Sequence, residues 1–360
     1  MPSGLLSCWH LSRTLTLEFS PASNARQAHQ MTVFTDLTGR AITAIRRSTP
    51  RHKWDEIAEV IVRDRQKVEA ELKSAAPQSN FRALLPELRE RSHVKIPGLL
   101  ENAAQLRDYF GTLPVHKGAH VFSFDGAMRS LADVRSDFPM AGYNSDFVLK
   151  APGLLEALND PALIDLIEQY LGCVPTLYSL NAWWTFPAQK PEMTNVQFFH
   201  RDTDDWRFLT LFLYLTDVGP DGGPHEVIPG SHSVDGMKKL LKSVPWWRSK
   251  MDVERSFVDD MGEEFSSACE QHFRNAAVQL TGPAGSMFLV NTLALHRGIV
   301  PTRTDRLIIW ARYGLGPNTN SADLERGPLG IRLVPTKLQG TPREKYINRL
   351  LVQFDRKPEN

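Results

Sequence analysis

Three side chains have the types and the spacing to hold a metal ion: His200 and Asp202 in Phe199-His200-Arg201-Asp202-Thr203, and His296 in Leu295-His296-Arg297-Gly298. Residues i and i+2 of a β-strand point to the same face, so His200 and Asp202 present an imidazole and a carboxylate to one point in space. A second apolar run, Met287-Phe288-Leu289-Val290, follows a Gly285-Ser286 turn and delivers His296 as the third ligand. Two histidines and one carboxylate on one face of an ion leave the opposite positions open, which is the arrangement of non-haem Fe(II) oxygenases. The chemistry this implies is redox chemistry with O₂.

A His-X-Asp triplet is short enough for a surface strand to carry by chance. The stretch Arg306-Leu307-Ile308-Ile309-Trp310-Ala311-Arg312 adds weight. Period 2 puts Arg306 on the face of Ile308 and Trp310, where a charge without a counter-ion is strongly disfavoured. A buried anion resolves the conflict. A guanidinium grips a planar carboxylate with two parallel hydrogen bonds, so Arg306 suits the distal carboxylate of 2-oxoglutarate, whose other end chelates iron. Arg303 is the alternative for that role. Asp204 and Asp205 are read as lying beyond the same-face pair. His225-Glu226 invites a zinc-hydrolase reading, which needs histidines four apart on a helix. The next histidine is His232, and Pro229-Gly230 would break such a helix. His232 is read as closing the Pro-Gly-Ser turn. Trp183, Trp184, Trp246 and Trp247 either line a substrate pocket or belong to ordinary core.

The elements that must position these residues change character along the chain. Trp54 to Ala75 carries Ile57, Val60, Ile61, Val68 and Leu72 at helical spacing, and Leu99–Phe110 repeats the period. His93–Gly98 reads as a short strand and turn. Ala151–Leu171 holds two helical stretches separated by Asn159-Asp160-Pro161, with Asp160 as cap and Pro161 in the first turn. From Pro175 the pattern is β: Thr176–Pro187, Val196–Phe199, Phe208–Thr216, Val227–His232, Met287–Val290 and Leu307–Tyr313 read as strands closed by turns. Short strands so spaced point to a β-sandwich or jelly roll. The segment 234–278 reads as a helical insert in that domain, a place where lids are built. The domain plan is a peripheral segment 1–31 and one domain over 32–360. That domain comprises a helical part 50–172, a β core 173–318 and a closing helix 342–354. Met31 is a second candidate start.

Composition narrows the function classes. A formal net charge of +1 from 42 basic and 41 acidic residues gives no general pull toward nucleic acid or anionic membrane. No apolar run is long enough for a membrane span, and Met1–Met31 lacks the continuous apolar stretch of a secretory signal. Three scattered cysteines suggest neither a disulfide framework nor a thiolate metal site, so a reducing cytoplasm is expected.

Several motifs in order resemble the phytanoyl-CoA dioxygenase family. They are Asn195-Val196-Gln197-Phe198-Phe199-His200-Arg201-Asp202, Leu215-Thr216-Asp217, Gly222-Gly223-Pro224, Val227-Ile228-Pro229-Gly230-Ser231-His232, Gly285-Ser286-Met287-Phe288 and His296-Arg297-Gly298. The resemblance implies a double-stranded β-helix (jelly roll, cupin-like) core with flanking helices, Fe(II), and 2-oxoglutarate as co-substrate. It puts His200, Asp202 and His296 in the ligand positions and Arg306 in the co-substrate position. Gln197 and Asn181 fall where relatives contact 2-oxoglutarate or substrate. His225-Glu226 departs from the family, which has an apolar or small residue after Gly-Pro. The activity expected is O₂-dependent hydroxylation of a small-molecule substrate, with decarboxylation of 2-oxoglutarate to succinate. A non-redox, isomerase-like jelly-roll enzyme and a catalytically silent binding protein are the alternatives.

Overall fold

The structure is a computed structural model that describes residues 44–46, 48–70, 79–118, 126–187, 195–242, 263–315, 334–336 and 340–353. The segment 1–31, Cys8 and the Trp246-Trp247 pair lie outside the described residues. In chain order, α1 (Trp54–Glu69) and α2 (Leu85–Arg91) lead into β1 (His93–Ile96). Next come α3 (Ala103–Gly111), β2 (Val115–Lys117), β3 (Met128–Arg129), α4 (Leu131–Asp137) and β4 (Met140–Gly142). Three helices follow, α5 (Ser145–Leu149), α6 (Leu154–Leu158) and α7 (Pro161–Leu171). Then the long strands begin with β5 (Thr176–Thr185) and β6 (Phe208–Tyr214), and β7 (His225–Val227) follows. Helices α8 (Val234–Leu241) and α9 (Glu263–Phe273) precede β8 (Val278–Leu280), β9 (Met287–Val290), β10 (His296–Gly298) and β11 (Arg306–Gly314). The chain closes with β12 (Val334–Pro335), α10 (Pro342–Ile347) and β13 (Val352–Gln353).

Two antiparallel sheets face one another. The large one runs β1-β9-β6-β11-β5-β4-β2-β3, and the small one β10-β7-β8. Strict alternation along β11 explains how one sheet serves two interfaces. Leu307, Ile309, Ala311 and Tyr313 pack outward with α7 residues Leu163, Ile164, Leu166 and Ile167. On the other face, Ile308 joins Trp183, Phe212, Tyr214, Phe288 and Val290, which meet Val227 and Leu280 of the small sheet. This double layer of antiparallel strands with flanking helices is the jelly roll. Helix α7 forms where the sequence punctuates it. The Asp160 carboxylate accepts from the amides of Ala162 and Leu163 at 2.9 Å each, and Gly172 ends the helix in the left-handed conformation.

Three departures from the sequence expectations stand out. The part read as helical, 50–172, contributes β2 to β4 to the large sheet beside the expected strand β1, so the sheet starts well before residue 173. Strands of two or three residues are too short for alternation to show in sequence. The closing helix stops at Ile347, because the chain turns at Asn348, whose side chain returns to the Glu344 carbonyl, and β13 then pairs parallel with β12. Val196–Phe199 is not a strand: Asn195–Gln197 forms a tight 3₁₀ turn, and His200 makes an isolated bridge with His296. Within the insert, the described residues form α8 and α9, whose Met237, Leu241, Cys269 and Phe273 pack with Phe199, Ile228, Leu293 and Leu295. No helix among the described residues is long and apolar enough to cross a membrane. The Cys173 and Cys269 thiols are buried, and burial pushes both up to about 12.

Candidate metal centre

The two histidines meet through their backbones. His200 and His296 exchange both main-chain hydrogen bonds at 3.0 Å, so each imidazole springs from the same rung of a ladder and the rings lie 4.2 Å apart. The Asp202 amide is fixed to the Thr292 carbonyl at 2.9 Å, which turns its carboxylate toward the same point. Asp202 Oδ1 stands 3.8 Å from His200 Nε2, and Oδ2 stands 3.5 Å from His296 Nε2. Among the described residues this is the one group of three potential ligands whose donor atoms all lie within 4.8 Å of one another. Arg201, between them in sequence, points elsewhere and donates to the carbonyls of Ser231 and Leu293 at 2.6 Å.

The donor set fits a metal ion. Nδ1 of His200 lies 2.8 Å from the Phe198 carbonyl and Nδ1 of His296 lies 2.9 Å from the Ala294 carbonyl. A carbonyl can only accept, so Nδ1 carries the proton in both rings and each Nε2 presents a lone pair to the centre. Bond lengths of about 2 Å from one ion to each donor are reachable from these separations with small side-chain adjustments. Burial opposes ionisation of Asp202, but the Arg312 guanidinium beside it holds the carboxyl well below the usual carboxylate range. Burial, with the His200 ring beside it, pushes His296 down to about 4, so its imidazole is neutral and ready to ligate.

Arg306, first residue of β11, is 5% exposed and lies on the inner face, as period 2 requires. Its Nη1 donates to the Gly223 carbonyl and its Nη2 to Thr185 Oγ1 at 3.1 Å, while Nε has no partner. No carboxylate among the described residues pairs with it. Gly223 adopts a positive φ of 68°, and a Cβ there would strike the Ile299 carbonyl, so the turn that aims this carbonyl at Arg306 requires glycine. Arg303, by contrast, has a side chain 79% exposed and lies 3.6 Å from Asp221. Asn181 lies on the inner face of β5 opposite Trp310, and Gln197 is buried in the turn before His200. Trp183 faces inward, edge-on to Trp310, whereas Trp184 belongs to the outer core and donates to Tyr143.

Three residues of the centre escaped sequence reasoning. Arg312 Nη2 donates to Asp202 Oδ2 at 2.5 Å, its Nη1 pairs with Asp204, and its guanidinium lies over the Trp310 ring. The face argument that singled out Arg306 applies equally to Arg312, six positions along the same strand. The Thr292 hydroxyl bonds Asp202 and Thr210, and no spacing announces it. His225, dismissed as a zinc ligand, points into the sandwich beside His296 with ring centroids 5.2 Å apart.

No protein-family profile matches the chain, and no curated protein does either. Solved structures do. EctD from S. alaskensis, described with 2-oxoglutarate and 5-hydroxyectoine, is 18% identical over 79% of this chain and 90% of its own, with a TM-score of 0.42. SnoN, a non-haem α-ketoglutarate-dependent epimerase of nogalamycin biosynthesis, is 18% identical over 65% of this chain and 81% of its own, at 0.41. SnoK, a carbocyclase of the same biosynthesis, is 16% identical over 71% and 92%, at 0.41. At these identities no activity transfers from the neighbours, and the functional reading rests on the residues of this chain.

Proposed function

We propose that this chain is an Fe(II)- and 2-oxoglutarate-dependent oxygenase that hydroxylates a small molecule. The observation that carries the proposal is Arg306: a buried guanidinium without a carboxylate, on the inner face of the large sheet and alongside Gly298, two residues after the metal-ligand candidate His296 on the small sheet. A buried cation calls for an anion, and a dicarboxylic 2-oxo acid supplies one at the distance of its own length from the metal it chelates. His200 Nε2, His296 Nε2 and one oxygen of Asp202 hold the ion, leaving the other positions for co-substrate and O₂. Arg306 grips the distal carboxylate, and Thr185 and Gly223 fix the plane of its fork. Asn181 is assigned to the substrate side of the same face, and Gln197 to the wall behind His200. Phe212, Ile308 and Trp183 keep the sandwich interior dry. Bound iron supplies the one-electron and O₂ chemistry. In the overall balance, 2-oxoglutarate, O₂ and a C–H substrate give succinate, CO₂ and the alcohol, one oxygen atom going to each oxidised product.

Arg306 also bears on the alternatives, since neither a Lewis-acid isomerase nor a silent binder needs a buried carboxylate clamp. The test is anaerobic loading of the purified chain with Fe(II), titration with 2-oxoglutarate followed by the visible charge-transfer band of the chelate, and then admission of O₂ with succinate measured. The band and succinate are expected only when both Fe(II) and 2-oxoglutarate are present. Turnover supported by Zn²⁺ alone, or without the 2-oxo acid, would show the assignment to be wrong.

A further inference from the structure

His225 is the residue for which the fold gives no structural task. It is 5% exposed, its Nε2 has no hydrogen-bond partner, and its backbone amide donates to the Tyr214 hydroxyl at 3.0 Å. Its place is specific. On the ladder between the small-sheet strands, His225 stands directly across from Gly298, while Val227 stands across from His296. Directly opposed residues carry their Cβ positions about 5 Å apart on one side of the sheet. A Cβ at Gly298 would lie 3.5 Å from Arg306 Nη2, so the space left by that glycine is where the guanidinium comes alongside His225. On its other side the imidazole stacks on the His296 ring at 26°, and Phe212 closes it from the large sheet at 4.3 Å. The ring therefore neighbours both the metal-ligand candidate His296 and the Arg306 guanidinium, so it borders the space between them that a bound dicarboxylate would span.

We infer that His225 binds the co-substrate: its Nε2–H donates to the distal carboxylate that Arg306 grips, so that an imidazole and a guanidinium share one anion. The inference rests on the oxygenase reading above and adds to it a second recognition group, at a position where the resembling family carries an apolar or small residue. An unpartnered buried nitrogen is costly in a folded protein and calls for a ligand that satisfies it.

The test compares variants at this position by binding rather than turnover. Fe(II) affinity is measured first, then anaerobic titrations with 2-oxoglutarate and with pyruvate, which has the same chelating end and no distal carboxylate. His225→Phe is expected to weaken 2-oxoglutarate about ten- to a hundredfold, as for loss of a hydrogen bond to a charged group, with Fe(II) and pyruvate binding as in the parent. Glutamine places an amide nitrogen near the Nε2 position and asparagine does not reach it, so His225→Gln should recover most of the affinity and His225→Asn little. That pair keeps the comparison decisive even if the phenylalanine variant does not fold. Equal 2-oxoglutarate affinity in parent and His225→Asn, or parallel losses for 2-oxoglutarate and pyruvate, overturns the role of His225 alone. A parent that binds Fe(II) but no 2-oxoglutarate overturns the oxygenase reading together with it.

Discussion

Asp202 is the residue on which the centre turns, because its two oxygens have divided duties: Oδ2 accepts from Arg312 at 2.5 Å, and Oδ1 faces His200. Arg312 is in turn held by Asp204 and by the face of Trp310. Partners that orient a metal ligand typically matter ten- to a hundredfold in metal affinity, so Arg312→Met should weaken Fe(II) by about that factor while leaving the fold intact. Asp204→Ala should weaken it less, through the loosened Arg312. The sequence placed Asp204 beyond the same-face pair, and its ion pair with Arg312 depends on a tertiary contact that no spacing encodes. Asp205 accepts from the amides of Trp206 and Leu315, so Asp205→Asn should lower stability and spare the metal. Asp202→Ala should abolish iron binding and hydroxylation, and the parent assayed in chloride should give alcohol with no chlorinated product, since the carboxylate fills the position a halide would need. Iron titration of the four variants with product mass spectrometry decides the matter, and an iron-competent Asp202→Ala would remove Asp202 from the centre. The cluster was legible as residue types, two histidines and an aspartate, but the strand period used to read it does not hold: His200 makes only an isolated bridge, and Asp202 is turned inward by its amide's bond to the Thr292 carbonyl. Arg312 could have been found by the argument used for Arg306. His225 was hidden because its pairing with Gly298 depends on the register between β7 and β10, which sequence does not state.

At the scale of elements, the loop after β7 is tied to the N-terminal helices by His232. Its Nε2 bonds the Arg89 carbonyl of α2 at 3.0 Å, and its own carbonyl accepts from Arg51 at 3.4 Å. The Ser231 hydroxyl meanwhile joins the Ile228 carbonyl to the Leu295 amide, one residue from His296. Burial and the Arg51 charge push the His232 imidazole down to about 4, against about 6.5 in an unfolded chain. The sign follows directly: between those values the unfolded state binds a proton that the folded state refuses. Stability is therefore full above about pH 6.5 and declines as the pH falls toward 4, by on the order of 3 kcal/mol for this group. His232→Gln retains a donor for Arg89 and removes the titration, so urea unfolding from pH 7 to 4.5 should show a flatter decline than in the parent. Identical slopes would assign the acid sensitivity to other groups. The sequence reading of His232 as a turn-closing residue captured its place, and the tie to Arg89 depends on tertiary contacts that no local pattern encodes. The same limit hid β2 to β4, whereas β5, β6 and β11 are long enough to show their period.

For the molecule as a whole, the centre is the meeting point of both sheets, and no part of it exists in the unfolded chain. An ion that binds only the folded state should stabilise it by about 2.7 kcal/mol at a hundredfold its dissociation constant. Thermal unfolding with Mn(II) as a redox-silent substitute should show that gain, reversed by chelator and absent in Asp202→Ala. An equal gain in that variant would place the ion elsewhere. The fold class was legible because the long strands and the Gly- and Pro-marked turns recur in order. How the sheet borrows β1 from far upstream to cover β9 was not, since such pairing is a property of the closed structure. The mutual backbone bonds of His200 and His296 carry a consequence in time. Both ligands become neighbours only when two distant segments have already zipped together, and closing such long loops belongs to the late, slow part of folding. On the proposed reading, an ion held by these three residues would have to arrive after folding, since a nascent or partly folded chain offers it only scattered side chains.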